Sequence, residues 1–158
     1  MSNNSETTLG ISLGGRYFGY AILKLGDLVD WGNKTFKGAW SDSKLLAMIW
    51  TIEKIIDRYE ITQINVKVPP FVDRYSALKQ LSDGIRELAT DKEIDIKIYT
   101  LKELKYISKE NEKLTKRKLL TQIAMKYPYV SHEFLDNDQK QPYYAKTLEA
   151  IAMAELGK

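Results

Sequence analysis

The end of the first apolar segment is the part of this sequence whose residue types are best suited to chemistry. Apolar and small residues alternate from Leu9 onward and lead into Gly14-Gly15 and then Arg16. Many folds that handle phosphate place a carboxylate at the end of such a strand. Ser12 stands where that acid is expected, so the segment predicts a phosphate-handling architecture that has lost one of its acids. The simpler alternative is that the two glycines only form a turn.

The composition excludes several other kinds of chemistry. None of the 158 residues is a cysteine, which excludes disulfides, thiolate metal sites and thiol nucleophiles and agrees with a reducing compartment. His132 is the only histidine. Since no Gly-x-Ser-x-Gly motif accompanies it, we interpret His132 as a surface residue.

Length and hydropathy indicate one globular domain. A chain of 158 residues with 44% hydrophobic and 28% charged residues can bury a core without disulfides or metal. No apolar run is long enough to span a membrane, and the N-terminus lacks the basic and apolar segments of a signal peptide. We therefore expect a cytoplasmic protein with no membrane partner, in which residues 1–158 form a single domain and residues 1–7 are a flexible tail.

Basic residues concentrate in one part of the chain, although the formal net charge is only +3. The segment 97–118 interleaves glutamates with Lys97, Lys102, Lys105, Lys109, Lys113, Lys116, Arg117 and Lys118. Such a mixed-charge segment is more often a solvated helix face than a surface that contacts phosphates. The charge therefore allows binding of nucleic acid without requiring it.

Hydrophobic spacing predicts three antiparallel strands at the start of the chain. The second and third strands, residues 17–25 and 28–34, flank Gly26-Asp27, which suits a two-residue hairpin turn. A helix capped by Ser41, Asp42 or Ser43 follows. Its buried face is predicted from residues at helical spacing, namely Leu45, Ile49, Ile52, Ile56 and Tyr59.

The remaining segments alternate between helix and strand. A fourth strand from Ile64 to Val68 is stopped by two prolines, and a fifth ends at Thr100, which forms a capping-box pattern with Glu103. A second helix is predicted to bury Leu78, Leu81, Ile85 and Leu88. Another helix is predicted from Thr115 to about Tyr127. The last helix is predicted from about Tyr143 to Leu156, with one buried face. Helix-connected strands should be parallel. The order predicts an α/β, ribonuclease-H-like domain with a five-stranded mixed sheet flanked by helices.

This order and several local motifs resemble the RuvC-type Holliday-junction resolvases over nearly the whole chain. The matching motifs are Gly10-Ile11, Gly14 with Arg16, Gly19-Tyr20, Phe71, Ser76-Ala77-Leu78-Lys79 with Gly84, Lys105 followed by Asn111, Lys113, Thr115 and Lys116, and Glu149-Ala150-Ile151-Ala152. No single motif is specific, and the resemblance rests on their shared order. It implies phosphodiester hydrolysis with two divalent metals held by four acids.

Most of the acids that the resemblance implies are absent. Their positions fall on Ser12, Lys67, Lys146 and Glu149, so one carboxylate remains and two lysines have been gained. Lysines repel magnesium, and we therefore predict no catalytic residue and no cofactor at these positions. We also predict that the Lys67 ammonium replaces a metal beside Glu149. The alternative is that Lys67 is an exposed strand lysine.

Three functions stay open. The first is a catalytically inactive RuvC-like protein that binds structured DNA or RNA. The second is a nonenzymatic protein-interaction or assembly module, with a homodimer or another protein as partner. The third is a divergent nuclease, for which magnesium or manganese would be the cofactor, with a site rebuilt from acids such as Asp27, Asp73, Glu103 or Asp136.

The nucleic-acid hypothesis assigns phosphate contacts to basic residues along the chain. They are Arg16, Lys67, Arg74, Lys79, Lys105, Lys113, Lys116 and Arg117. Aromatic residues could stack on bases, although they more often pack in a core or cover a dimer face. These are Tyr17, Phe18, Tyr20, Phe71, Tyr75, Tyr143 and Tyr144.

Overall fold

The computed structural model describes residues 6–70, 76–100, 102–103, 116–130 and 141–156. The strands are β1 (Thr7–Ser12), β2 (Tyr17–Lys24), β3 (Asp27–Thr35), β4 (Gln63–Val68) and β5 (Asp95–Thr100). The helices are α1 (Asp42–Tyr59), α2 (Ser76–Asp91), α3 (Lys116–Lys126) and α4 (Gln141–Glu155). Thr7 is buried in β1, so the predicted tail at residues 1–7 is wrong at that residue.

The strands form one five-stranded sheet in the order β3-β2-β1-β4-β5. The hairpins pair β1 with β2 and β2 with β3 in antiparallel fashion, whereas β4 lies parallel to both β1 and β5. This arrangement confirms the predicted mixed sheet. It places β1 at the centre, with the carboxyl ends of β1 and β4 side by side.

The turn between β2 and β3 differs by one residue from the prediction. Lys24 pairs with Asp27, so the turn residues are Leu25 and Gly26, with φ angles of 52° and 89°. Asp27 is the first residue of β3 rather than part of the turn. Two-residue hairpin turns with positive φ at both positions match the twist of the strands, and glycine tolerates such angles at little cost.

Helix α1 covers one face of the sheet together with α2. The Ser41 side chain caps α1 by accepting a hydrogen bond from the backbone N–H of Lys44 at 3.1 Å. The most buried apolar residues of α1 are Met48, Ile52, Ile55 and Ile56. The predicted residues Leu45, Ile49 and Tyr59 are only partly buried and pack at the margin of this core. The predicted buried face is therefore rotated slightly from the observed one.

The opposite face of the sheet is covered by α4, which is itself covered by α3. The prediction of one buried face on α4 is wrong, because every residue from Thr147 to Ala154 is buried. The helix lies very close to the sheet over Gly10 of β1 and Gly19 of β2. A Cβ on Gly10 would overlap the carbonyl oxygen of Ala150, and one on Gly19 would overlap the backbone of Lys146.

Gly10→Ala is expected to destabilise the protein by about 3 kcal/mol, because the added methyl group meets helix backbone that cannot move aside locally. The matched control is Gly15→Ala, where a Cβ would meet no atom within 4 Å, and we expect a change of about 0.5 kcal/mol or less. Urea unfolding followed by circular dichroism measures both. Equal stability of the two variants would show that α4 does not sit against β1 as described.

The predicted capping box after β5 is confirmed. The Thr100 backbone N–H donates to a Glu103 carboxylate oxygen at 2.9 Å, and the Glu103 N–H donates to the Thr100 hydroxyl at 3.3 Å. The predicted helix cap Thr115 and the histidine His132 lie outside the described residues. None of the helices in the described part of the chain is long and apolar enough to cross a membrane.

Candidate functional site

The candidate site lies where the carboxyl ends of β1 and β4 meet α4. Ser12 and Lys67 are register partners on these parallel strands, and the Leu13 N–H donates to the Lys67 carbonyl at 3.0 Å. Register partners point to the same face of a sheet. Both side chains therefore face α4, which brings Glu149 over them. In open α/β sheets, ligands bind outside the carboxyl ends of the strands.

Glu149 is the centre of a buried polar cluster. The Ser12 hydroxyl donates to Glu149 Oε1 at 2.7 Å, and Lys67 Nζ lies 3.2 Å from the same oxygen. The side chains of Lys67 and Glu149 are 6% and 1% exposed, and Ser12 is fully buried. Burial of a carboxylate is costly unless a counter-ion and hydrogen bonds accompany it, and at Oε1 these two residues supply both. The prediction that the Lys67 ammonium lies beside Glu149 is confirmed, and Ser12 joins this pair.

Lys146 adds a second ammonium group at the edge of this cluster. Its Nζ donates to the Leu13 carbonyl at 2.8 Å and lies 4.0 Å from Glu149 Oε1, and its side chain is 19% exposed. The aliphatic part of Lys146 passes beside Gly14, where a Cβ would lie 3.6 Å from Lys146 Cε. Among the described residues of the cluster, two ammonium groups and one carboxylate leave one net positive charge.

These residues do not fit the pair of divalent metals that the resemblance implies. Magnesium is held by several oxygen ligands, with carboxylates to balance its charge, but here one carboxylate already has a lysine as counter-ion. Within the described residues, no three Asp, Glu, His or Cys side chains come together in a way that could hold a metal ion. The groups present can instead hold a charged hydrogen-bond network in place without metal.

The other predicted nucleic-acid contacts are distributed unevenly around this site. Arg16 is exposed in the turn that follows β1, close to the cluster. Lys79 is exposed on α2, where it pairs with Asp83 at 2.9 Å. Lys116 and Arg117 begin α3, and the positions Arg74, Lys105 and Lys113 lie outside the described residues. Burial of Lys67 directs its ammonium to Glu149 rather than to a phosphate in solvent.

Of the aromatic residues predicted to stack on bases or pack in a core, two are in the core. Phe18 is fully buried and Tyr20 is 8% exposed, on the face covered by α1. Tyr17 is partly buried at the start of β2. Phe71 and Tyr75 lie outside the described residues, and the side chains of Tyr143 and Tyr144 are not described.

Two asparagines that the sequence did not single out attach α4 to the sheet. Asn65 of β4 is 1% exposed and donates to the Met153 carbonyl at 2.8 Å. Asn33 of β3 donates to the Thr147 hydroxyl. Both asparagines position the helix that carries Glu149. Their signal in the sequence is weak, since it consists only of an amide on a strand position that faces a helix.

Comparisons with known proteins connect this geometry to one group of folds. The structure of RuvC from Thermus thermophilus matches 94% of this chain and 90% of its own chain, with a TM-score of 0.68 and 10% identity. The same protein in complex with Holliday junction substrate matches 96% of each chain, with a TM-score of 0.63 and 10% identity. The yeast mitochondrial Holliday junction resolvase Ydc2 matches 95% of this chain and 76% of its own, with a TM-score of 0.71 and 9% identity.

The comparison of structures, and not overall sequence similarity, establishes this likeness. No family model and no curated protein matches the sequence. At about 10% identity, agreement over some 95% of the chain is agreement of topology and packing. The protein therefore has the ribonuclease-H-like fold of the RuvC-type Holliday junction resolvases.

Proposed function

We propose that this protein binds structured nucleic acid without cleaving it and without divalent metal. The observation that carries the proposal is the contact between Lys67 Nζ and Glu149 Oε1 at 3.2 Å in a buried site. A lysine there neutralises the remaining carboxylate permanently, which a metal would otherwise do. The described groups at this site are then held together without metal, and none of them is arranged to bind the metal ions with which such sites activate water.

The charge around the site supports binding of phosphate. Lys146 lies at the edge of the cluster and Arg16 is exposed in the adjoining turn, so a phosphate approaching the ends of β1 and β4 meets these two cations. Contacts of this kind fix the position of a nucleic acid but do not read its sequence. The protein is accordingly expected to distinguish shapes of nucleic acid better than sequences.

The proposal includes three further properties that the sequence predicts. These are a cytoplasmic location, assembly as a homodimer, and phosphate contacts from Lys116 and Arg117 at the start of α3. Lys79 contributes less than a free lysine, because its pair with Asp83 offsets its charge. The similar structures include a complex with Holliday junction substrate and a Holliday junction resolvase, and a four-way junction is therefore the first nucleic acid to test.

The test combines binding and cleavage on the same substrate. We expect the protein to retard a four-way DNA junction more than a linear duplex of the same length in a gel with EDTA at low salt, and to lose affinity steeply as salt increases. With magnesium or manganese the junction should stay intact. Cleavage abolished by replacement of an acid in this chain would contradict the proposal in favour of a rebuilt nuclease site.

Reversing the charge of Arg16 tests whether the junction binds at the candidate site. Arg16→Glu should weaken junction binding about tenfold and reduce its salt dependence, because it replaces a phosphate contact by repulsion. The matched control is Arg86→Glu on the exposed surface of α2, away from β1, which should change binding little. Absence of binding by the parent protein at low salt would contradict the proposal and support the protein-interaction alternative.

A further inference from the structure

A cleft of about 470 Å³ lies between α1 and the edge strand β3. It is separate from the candidate site, because successive residues of a strand point to opposite faces of the sheet. Gly19 of β2 faces α4, and Tyr20, the next residue, faces α1 and lines the cleft. Cleft and candidate site therefore open on opposite sides of the sheet.

Aromatic rings and basic groups alternate along the walls of the cleft. The residues Trp50, Lys54 and Arg58 are spaced four apart on α1 and share one side of that helix. Lys54 Nζ lies 5.0 Å from the centre of the Trp50 ring, and Arg58 Cζ lies 5.4 Å from the centre of the Tyr59 ring. Both pairs are within the range of cation–π attraction.

The β3 side of the cleft repeats this arrangement. Lys34 Nζ lies 5.4 Å from the centre of the Tyr20 ring. Gly32, between the cleft-lining residues of β3, leaves room for this ring, since a Cβ there would lie 3.2 Å from Tyr20 Cε1. Among the described residues, three of the four contacts between a cation and an aromatic ring lie around this one cleft, which indicates a built feature.

The cleft is electrically positive. Three cations and one carboxylate, Asp30, line it, which leaves two net positive charges. The Tyr59 hydroxyl donates to Asp30 Oδ2 at 2.6 Å. Burial, assisted by Asp30, raises the pKa of Tyr20 to about 12, so its phenol adds no negative charge at neutral pH. Within the described part of the chain, no salt bridge engages the three cations.

We propose that this cleft binds a nucleoside phosphate, with the base stacked on Trp50 and the phosphate held by Lys54, Arg58 and Lys34. Trp50 is 59% exposed, so much of its ring area is available for stacking. Bases stack on aromatic side chains irrespective of their identity, and basic groups beside the ring match the attached phosphate. The proposal rests on the lining of the cleft and does not depend on junction binding by the other face.

Isothermal titration with small probes tests the combination of base and phosphate. AMP should bind about 5- to 150-fold more tightly than ribose 5-phosphate, which lacks the base, since stacking of one base contributes about that factor. Adenosine, which lacks the phosphate, should also bind more weakly than AMP, and salt should weaken AMP binding. Equal affinities for AMP and ribose 5-phosphate, or no binding of AMP, would overturn the proposal.

Variants on the cleft wall assign the binding to these residues. Trp50→Ala should weaken AMP binding by the same factor and Trp50→Phe by less, because phenylalanine keeps a ring. The matched control is Leu46→Ala, one turn earlier on α1 at a residue that is 67% exposed and outside the cleft. Equal effects of Trp50→Ala and Leu46→Ala on the affinity for AMP would refute the site.

Charge reversal gives a second, independent readout. Lys54→Glu combined with Arg58→Glu should weaken AMP binding about tenfold or more and leave adenosine binding nearly unchanged. Lys24→Glu combined with Arg86→Glu makes the same change in net charge at exposed residues outside the cleft. Equal loss in the two double variants would show that only the overall charge matters and would overturn the site.

The same chemistry is present in free nucleotides and in single-stranded nucleic acid, and a competition experiment distinguishes them. If a strand is the natural occupant, a ten-residue oligodeoxythymidine should displace AMP at lower concentration than TMP does. If a free nucleotide is the occupant, TMP should displace AMP at least as well as the oligonucleotide. Either result supports the cleft, and displacement by neither would contradict it.

Discussion

Lys67→Met is expected to lower the free energy of unfolding by about 3–5 kcal/mol, because it leaves the Glu149 carboxylate buried without its counter-ion. The Glu149 side chain is 1% exposed, and among the described lysines Lys67 has the Nζ nearest to its Oε1, at 3.2 Å. The Ser12 hydroxyl still donates to the same oxygen in this variant, but it carries no charge. Urea unfolding at neutral pH measures the loss.

A double-mutant cycle measures the interaction energy between Lys67 and Glu149 separately from the contribution of each side chain. Glu149→Gln alone should also destabilise the protein, because it leaves the Lys67 ammonium buried. Lys67→Met combined with Glu149→Gln should recover part of the loss, with a coupling of about 2–3 kcal/mol. The control is the exposed pair of Lys79 and Asp83, where Lys79→Met should cost less than about 1 kcal/mol. Strictly additive effects at Lys67 and Glu149 would argue against compensation.

Placing acidic residues at positions 12 and 67 is expected to make the stability of the protein depend on bound metal. Ser12→Asp combined with Lys67→Glu places new carboxylates around Glu149, and their mutual repulsion should lower stability more than Lys67→Met does. Binding of magnesium or manganese at 100 times its dissociation constant would restore about 2.7 kcal/mol. For a domain of this size, that corresponds to a rise in melting temperature of about 5–10 °C.

The control for this variant has the same shape without the charge. Ser12→Asn combined with Lys67→Gln should show no change in melting temperature with either metal. Thermal denaturation with EDTA and with each metal measures both variants, and recovery of circular dichroism on addition of metal reports the result even if the acid-restored protein is unfolded without it. Absence of a metal response in the acid-restored variant would show that the site geometry no longer accommodates a metal.

The elements of the fold were predictable because their signals are local. The alternation of residue types in β1 and β4 and the spacing of apolar residues in α2 involve neighbours a few residues apart. The capping box of Thr100 and Glu103 is local in the same way. The predictions were wrong where the burial of a residue depends on an element that is distant in the sequence. The sheet on one side and α3 on the other bury α4 all round from Thr147 to Ala154, although its own sequence predicts a single buried face.

The sequence alone determined the order of strands and helices, because residue types and spacing contain it, and its resemblance to the resolvases implied that Ser12, Lys67 and Lys146 stand where acids are expected. Only the tertiary structure decided between the two alternatives for Lys67, which is buried against Glu149, 82 positions later in the chain. Only the tertiary structure showed that Trp50 of α1 shares a cleft with Lys34 of β3. The physical reason is that such contacts have no local period. They follow from the packing of whole elements, in which many weak interactions together fix which side chains meet.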